Sequence, residues 1–141
     1  MFLASLSHNT VRLIKPTSQD IQVLLQDSRA LPGEDNFRIL LESPEVAYWS
    51  AQRKEDLAFL GIVGITKGLA TNQIFFKFNF SIYDTSIVFQ EVLELVLKYL
   101  EYAKLRGSYI LQLQNSPFRI KKILERGGFV KLKEDTWVVE L

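Results

Sequence analysis

The stretch from Ile74 to Leu100 reads IFFKFNFSIYDTSIVFQEVLELVLKYL and joins an apolar strand to a long apolar helix. A strand with so many aromatic side chains would promote aggregation if it lay at the edge of a sheet. We therefore predict an interior strand from Gln73 to Ile82. Apolar side chains recur on one face of it at every second position, the period of a β-strand; they are Phe76, Phe78, Phe80 and Ile82.

The second part of the stretch predicts a helix from Ile87 to Arg106. Its polar side chains fall on one narrow stripe at helical spacing, and nearly all the others are apolar. We expect this helix to lie against the sheet with only the stripe in water, and to stop at Gly107. The stripe consists of Gln90, Glu91, Glu94, Lys98, Glu101 and Lys104.

The turn IYDTSI between strand and helix contains no glycine. In many α/β enzymes such a turn binds a phosphate, because a helix N-terminus offers unpaired N–H groups and glycines let the backbone come close to the ligand. Thr85 or Ser86 as the helix N-cap would leave such groups available. Asp84 works against phosphate, because its carboxylate favours the same positive helix end.

Shorter elements precede this stretch. VRLIK, from Val11 to Lys15, alternates as a half-buried strand does, and Thr17 with Asp20 predicts the cap of a short helix. PGEDNFRILLESP predicts a second short helix that stops before its last proline. Two strands are predicted to follow, at Val46–Gln52 and Leu57–Thr66.

The C-terminal part continues the alternation. SYILQLQ predicts a strand from Ser108 to Gln114, and NSPFRIKKILERGGF predicts a helix that begins after Ser116 and ends at Gly127. FVKLKED and TWVVEL predict a closing hairpin. The order β-α-α-β-β-β-α-β-α-β-β predicts a single α+β domain over residues 1–141, with helices on both faces of one sheet.

Composition limits the classes of function. The 141 residues suffice for one domain, and 48% hydrophobic with 23% charged residues is typical of a globular chain. A formal net charge of +1 gives no global attraction for nucleic acid or an anionic membrane. The absence of cysteine excludes disulfides and thiolate metal sites.

The sequence also shows no targeting or membrane segment. MFLASLSHNT lacks the basic region and the long apolar run of a signal peptide, and EVLELVLKYLEYAKL carries too many charges to span a bilayer. We therefore expect a cytoplasmic protein. His8 has no second ligand for a metal and falls in a start that we expect to be disordered, so no function is assigned to it.

The order and lengths of these elements resemble the GCN5-related N-acetyltransferase (GNAT) superfamily over nearly the whole chain. VRLIKPTSQDI is similar to the family's opening strand and first helix, and Gly61 stands where the family's third strand usually carries a glycine. NSPFRIKKILERGGF, closing on Gly128 and Phe129, is similar to its fourth-helix signature. The resemblance implies a mixed, mostly antiparallel sheet and metal-free transfer of an acetyl group from acetyl-coenzyme A to a primary amine.

Several positions depart from the family pattern. The family's phosphate loop reads Arg/Gln-x-x-Gly-x-Gly/Ala, whereas the corresponding residues here are about IYDTSIV. The tyrosine that often acts as general acid on the fourth helix corresponds to Leu124, which cannot donate a proton. The signature asparagine lies slightly upstream, at Asn115, and the frequent glutamate of the fourth strand is absent from FFKFNFSI.

The resemblance still implies a set of site residues. The pantetheine arm would pair with main chain near Phe80 and Ile82, where the family's fourth and fifth strands splay apart. For proton transfer the candidates are Tyr83, Asp84 or a water held by Asn79 and Ser81, although residues such as Tyr83 and Asp84 are more often plain turn and helix-cap residues. Further cofactor contacts are implied for Thr85, Ser86, Ile87, Asn115 and Arg119.

Two functions stay open at this point. The first is an N-acetyltransferase that acts on an unidentified amine of a small molecule or a protein. The second is a catalytically inactive GNAT-fold module for binding or regulation, which the joint absence of the loop glycines and the helical tyrosine would explain. We expect neither a nucleic-acid nor a membrane partner, and a homodimer stays open.

Overall fold

The computed structural model describes residues 6–20, 22, 46–66, 72–78, 85–113 and 118–141. These residues form eight strands: β1 (Leu6–Ser7), β2 (Val11–Ile14), β3 (Val46–Arg53), β4 (Phe59–Thr66), β5 (Asn72–Phe78), β6 (Ser108–Gln112), β7 (Val130–Lys133) and β8 (Thr136–Glu140). They also form the helices α1 (Thr85–Tyr102) and α2 (Phe118–Arg126), and residues 18–20 and 22 are helical as well.

All eight strands belong to one sheet, in the order β1-β2-β3-β4-β5-β6-β8-β7. Every neighbouring pair is antiparallel except β5 and β6, which run parallel. The Phe-rich strand β5 lies in the interior, between β4 and β6. The mixed, mostly antiparallel α+β architecture is therefore confirmed, together with the interior position of this strand.

The predicted strands agree with the observed ones to within two residues where the structure describes them. β4 begins at Phe59 and not at Leu57, because Leu57 has a φ of 60° and leaves the extended region. The expectation of disorder is wrong for residues 6–10, where the description begins, since β1 pairs with β2 through Leu6 and Ser7. The second predicted helix, in PGEDNFRILLESP, lies outside the described residues.

Side chains of α1 and α2 pack on one face of the sheet and form the main core. Trp49 of β3 meets the edge of Tyr99 with ring centroids 5.3 Å apart, and Phe76 of β5 meets Phe89 at 5.1 Å. The opposite face carries a smaller apolar cluster around Ile62, with Tyr48, Phe59 and Phe75. Adjacent residues of β5 therefore point to opposite faces, as the period of two predicts.

The predicted cap of the first helix is present. Asp20 N–H donates to Thr17 Oγ1 at 3.1 Å, and Thr17 N–H donates to Asp20 Oδ2 at 3.2 Å. This reciprocal pair is a capping box. The same Asp20 oxygen accepts the hydroxyl of Ser50 at 2.9 Å. Because Ser50 follows Trp49 on β3, its side chain lies on the face away from α1, so helical segments contact both faces.

Helix α1 ends at Tyr102, four residues before the predicted end at Arg106. Lys104 has a φ of 56°, and the N–H groups of Lys104 and Leu105 donate to carbonyl oxygens of the preceding turn at 3.1 and 3.0 Å. This pair of bonds is a Schellman motif. A lysine in the left-handed region ends the helix, so the prediction that Gly107 stops it is wrong.

Helix α2 ends with the same motif, built on glycine. Gly128 has a φ of 90°, and the N–H groups of Gly128 and Phe129 donate to the carbonyls of Glu125 and Leu124 at 3.1 and 3.0 Å. Phe129 and Leu124 are both buried in the main core, which is the apolar pair that accompanies such motifs. The closing Gly-Phe pair therefore has a structural role: it ends the helix and fills the core.

We expect opposite effects of substitution at these two helix ends. Lys104→Gly should raise the free energy of unfolding by about 0.5–1 kcal/mol, because glycine adopts a positive φ without steric cost. Gly128→Ala should lower it by about 1–2 kcal/mol through the backbone alone, since no heavy atom lies within 4 Å of the added Cβ. Urea unfolding followed by circular dichroism measures both changes. Changes of the same sign would contradict the left-handed backbone conformation at these two helix ends.

Candidate functional site

The two parallel strands at the centre of the sheet pair only where they begin. Their register is Asn72 opposite Tyr109 and Gln73 opposite Ile110, and among the described residues no further pair joins them. Beyond these pairs β5 remains paired with β4 as far as Phe78, and β6 with β8 throughout. The two strands therefore diverge toward their carboxyl ends, which agrees with the splay that the resemblance implies.

Both helices begin at this diverging end, because α1 follows β5 and α2 follows β6. Thr85 and Ser86 form the first turn of α1, Ile87 in the same turn is 52% exposed, and Arg119 near the start of α2 is exposed. The structure thus brings four of the predicted cofactor residues to one end of the sheet. That placement is the geometry a ligand lying between the strands would need.

The remaining site predictions lie outside the described residues. They are the catalytic candidates Asn79 and Tyr83, the cofactor candidates Phe80, Ile82 and Asn115, and the neighbouring Ser81 and Asp84. Their roles stay predictions. Leu124, which corresponds to the family's tyrosine, is fully buried in the main core. That position contributes packing, and its side chain has no proton to donate.

A cavity of about 440 Å³ lies beside the first turns of α1, within the size range of small-ligand sites. Its walls come from three places: the turn between β1 and β2, the turn between β3 and β4, and the start of the helix. Two of the lining side chains are basic and one is acidic. The lining residues are Asn9, Thr10, Arg53, Lys54, Glu55, Ile87 and Val88.

Arg53 is fixed on the cavity wall by a bidentate pair with Asp56. Its Nε and Nη2 donate to the two carboxylate oxygens at 3.0 and 2.8 Å. These hydrogen bonds, with a weaker one from Ala58 N–H, lower the pKa of Asp56 to about 2, and they raise the pKa of Arg53. The guanidinium is therefore held in one orientation and stays charged.

Glu91, one turn further along α1, is a buried carboxylate that is only 7% exposed. Its Oε1 accepts the N–H groups of Thr10 and Val11 at 2.8 and 3.1 Å, and its Oε2 accepts the Thr10 hydroxyl at 2.6 Å. We call Glu91, Thr10 and Val11 the Glu91 clamp. The prediction that Glu91 belongs to the solvent-exposed stripe is wrong, because its side chain points at β2.

The Glu91 clamp keeps this carboxylate ionised. Burial raises the pKa of Glu91, but the hydrogen bonds from Thr10, the positive charge that His8 carries when its ring is protonated and the hydrogen bond from the Val11 N–H together outweigh burial, so the pKa lies below its ordinary value of 4.5. Hydrogen bonds to a charged acceptor are stronger than those between neutral groups. The contact between α1 and the β1–β2 turn is therefore a strong one at neutral pH.

His8 connects the same turn to α1 a second time. Its Nδ1 accepts the Asn9 N–H at 2.7 Å, which leaves Nε2 as the donor to Glu94 Oε2 at 2.6 Å. His8 Nδ1 also lies 3.1 Å from Glu91 Oε1, so a ring that carried a proton on Nδ1 would direct that proton at Glu91. The expectation that His8 lies in a disordered stretch is wrong, since its side chain joins the turn to the helix.

Lys54 holds the other side of the β1–β2 turn. Its backbone N–H donates to the Thr10 carbonyl at 2.9 Å, and its ammonium donates to the His8 carbonyl at 2.6 Å. The β1–β2 turn is therefore hydrogen-bonded to α1 on one side and to the β3–β4 turn on the other. These contacts order all three walls of the cavity with respect to one another.

The sequence contains one signal for the burial of Glu91. Glu91 stands three residues after Val88 and four before Leu95, and both are buried, so Glu91 falls on the apolar face of α1. A carboxylate on that face requires hydrogen-bond partners. The sequence does not reveal which partners, because Thr10 lies 81 residues away along the chain.

Two further classes of site find no support in the part of the chain that the structure describes. No group of three or more His, Cys, Asp or Glu side chains there is arranged to hold a metal ion. Among the same residues, no helix is long and apolar enough to cross a membrane.

Solved structures of acetyltransferases are similar to this chain over nearly their whole length. An acetyltransferase from Agrobacterium tumefaciens str. C58 matches with a TM-score of 0.68 and 12% identity, over 96% of this chain and 92% of that one. A GNAT-family acetyltransferase from Bacillus anthracis matches with a TM-score of 0.70 and 15% identity, over 97% of this chain and 98% of that one. The ribosomal-protein-S5-alanine acetyltransferase from Vibrio fischeri matches with a TM-score of 0.63 and 12% identity, over 96% of this chain and 94% of that one.

At these identities the likeness concerns the fold, and the chain has the GNAT fold. No family model matches the sequence, and no curated protein matches it either. The resemblance that was stated from the order of the elements is therefore confirmed at the level of architecture.

The Glu91 clamp predicts a specific acid sensitivity. Because the folded-state pKa of Glu91 lies below 4.5, the clamp contributes stability above about pH 4.5 and loses it as the pH falls through the lowered pKa. Glu91→Gln should therefore flatten the loss of melting temperature between about pH 5 and pH 3. Thermal unfolding across this range measures the slope, with Glu125→Gln as the control, because Glu125 of α2 is exposed. An unchanged slope in Glu91→Gln would contradict the assignment.

Proposed function

We propose that this chain is an N-acetyltransferase that transfers an acetyl group from acetyl-coenzyme A to a primary amine of a small molecule or a protein. The observation that carries the proposal is the divergence of β5 and β6 at the start of α1, within a GNAT fold. The acetyltransferases among the solved structures with this fold support the same conclusion.

The start of α1 offers a binding end for the phosphates of coenzyme A even without glycines. The first N–H groups of any helix lack partners within the helix and carry the positive end of its dipole. The neighbouring cavity adds the guanidinium of Arg53 and the ammonium of Lys54. The glycine-free turn restricts how closely backbone approaches the ligand, so we expect charge and helix N–H groups to supply more of the affinity here.

The reaction places modest demands on side chains. The amine nitrogen forms a bond to the thioester carbonyl carbon, the carbon–sulfur bond breaks, coenzyme A departs as a thiolate, and the nitrogen loses one proton. A thiol has a pKa of about 8.5, so its thiolate is a stable leaving group. The absence of a general acid at Leu124 is therefore tolerable when positioning supplies most of the rate enhancement.

Proton removal from the amine still needs an acceptor within reach. Tyr83 and a water held by Asn79 remain our candidates, by their place in the sequence just before α1. The comparisons do not favour the alternative of a catalytically inactive module.

Calorimetry with coenzyme A tests the proposal. We expect saturable heat with a dissociation constant of about 1–100 µM and, with ligand at about 100 times that constant, a stabilisation of about 2.7 kcal/mol, because a ligand that binds only the folded state must stabilise it. Lys104→Gly, at the opposite end of α1, should bind equally well. The absence of both binding heat and a thermal shift at millimolar ligand would refute the proposal.

Acetyl transfer separates an enzyme from a protein that only binds. The same preparation with acetyl-coenzyme A and a mixture of primary amines should release free thiol, detected colorimetrically, in proportion to the protein added. Tight binding without thiol release above the rate in the absence of protein, for every amine class, would leave the inactive module as the function.

A further inference from the structure

We propose that Glu91 is a positioning residue for the cofactor: its carboxylate sets the height of α1 against the sheet and thereby places the helix start where the phosphates bind. This inference rests on the proposed function. It concerns a residue six positions inside the helix, at a place where the resemblance assigns no role.

The clamp and the helix start belong to one rigid unit. At 1.5 Å per residue, Glu91 lies about 9 Å along the helix axis from Thr85, where α1 begins. Thr10, which donates two hydrogen bonds to Glu91, also lines the cavity together with Ile87 and Val88 of the first turns. A displacement of α1 at the clamp would therefore move the helix start by the same amount.

Hydrogen bonds fix a helix more sharply than apolar packing does. Burial of Val88, Val92 and Val96 holds α1 on the sheet, but the hydrophobic effect has no direction. The bonds from Thr10 and Val11 to Glu91 have restricted lengths and angles, and two of the three donors are main-chain groups. Val11 is itself paired with Arg53 in the sheet.

The partners of the clamp are held as well. Lys54 bonds the Thr10 and His8 carbonyls, and His8 bonds Glu94 on the next turn of α1. The clamp thus connects the helix start to the turn that carries Arg53 and Lys54. The same contacts that set the height of α1 also set its distance from the two basic side chains of the cavity.

Stability alone gives a weak reason for a carboxylate at this position. Burying a charge is costly unless it is fully hydrogen-bonded, and apolar replacements of buried charged groups are often neutral or stabilising. The position lies on the apolar face of α1, where a leucine would extend the core. A carboxylate there is explained if the helix must sit at one defined height.

The test compares three variants at a temperature where each is folded. Glu91→Ala removes the clamp. Glu91→Gln keeps its shape, because the amide oxygen can accept the Thr10 and Val11 N–H groups while the amide nitrogen donates to the Thr10 hydroxyl. Leu100→Ala opens a cavity near the far end of α1, where Leu100 is 1% exposed, and serves as the control for lost stability.

The measured quantity is the dissociation constant of coenzyme A. We expect Glu91→Ala to weaken binding about 10-fold or more, because misplacing a binding group by about 1 Å is costly. Glu91→Gln should stay within about 3-fold of the wild-type chain, and Leu100→Ala likewise despite its lower melting temperature.

Two results would overturn the positioning role. One is wild-type affinity in Glu91→Ala. The other is an equal loss in Leu100→Ala, which would mean that any loosening of the helix has the same effect. If the wild-type chain itself binds no coenzyme A, the proposed function fails first, and the role of Glu91 fails with it.

A second pair of variants covers the case in which Glu91→Ala does not fold. Thr10→Val removes the hydroxyl donor at nearly constant volume, whereas Thr10→Ser keeps it. Both variants alter the same cavity wall, so the measured quantity is the ratio of their affinities: we expect Thr10→Val to bind coenzyme A about 2–5-fold more weakly than Thr10→Ser does, in line with the loss of one charge-assisted bond. Equal affinities in this pair would overturn the role by themselves.

Discussion

The parallel pairing of β5 with β6 is the constraint on which the rest of the structure depends. Parallel neighbours in a sheet require a crossover connection, and α1 supplies it. Both strands consequently run out at the same end of the sheet, and α1 and α2 begin there. Because each strand stays paired with its antiparallel partner on the outer side, the two separate toward the end of the sheet where both helices begin.

The buried carboxylate of Glu91 connects α1 to the strands at one side of the sheet. Through Thr10 it connects α1 to β2, and through Lys54 the same turn is connected to the β3–β4 turn. Burying such polar groups costs desolvation free energy, but their hydrogen bonds define the position of the helix. If coenzyme A binds at the start of α1, as we propose, the lack of glycine in the preceding turn makes the position of that helix start more important for binding.

The sequence revealed the elements whose signals are periodic. The apolar, Phe-rich strand predicted an interior position in the sheet, and Gly127 predicted the end of α2 to within one residue of its observed end at Arg126. The end of α1 was misjudged because Lys104 adopts a backbone conformation usually reserved for glycine. β1 was missed because two residues carry no periodic pattern.

The candidate site was predictable only in part. The helix start and the strand divergence follow from the order of the elements, whereas the Glu91 clamp joins residues 81 positions apart. The partners in polar contacts over such distances leave no local trace in the sequence, because nothing near Glu91 indicates that it bonds Thr10. The apolar neighbours Val88 and Leu95 are the only hint that the sequence offers.

The central claim is that the ligand lies between the diverging strands, against the start of α1. Backbone hydrogen–deuterium exchange with and without saturating coenzyme A tests this claim most directly. We expect slowed exchange at residues 85–90 and at the end of β5, with β7 and β8 unchanged. Slowed exchange confined to β7 and β8, or no change at the start of α1, would contradict the account.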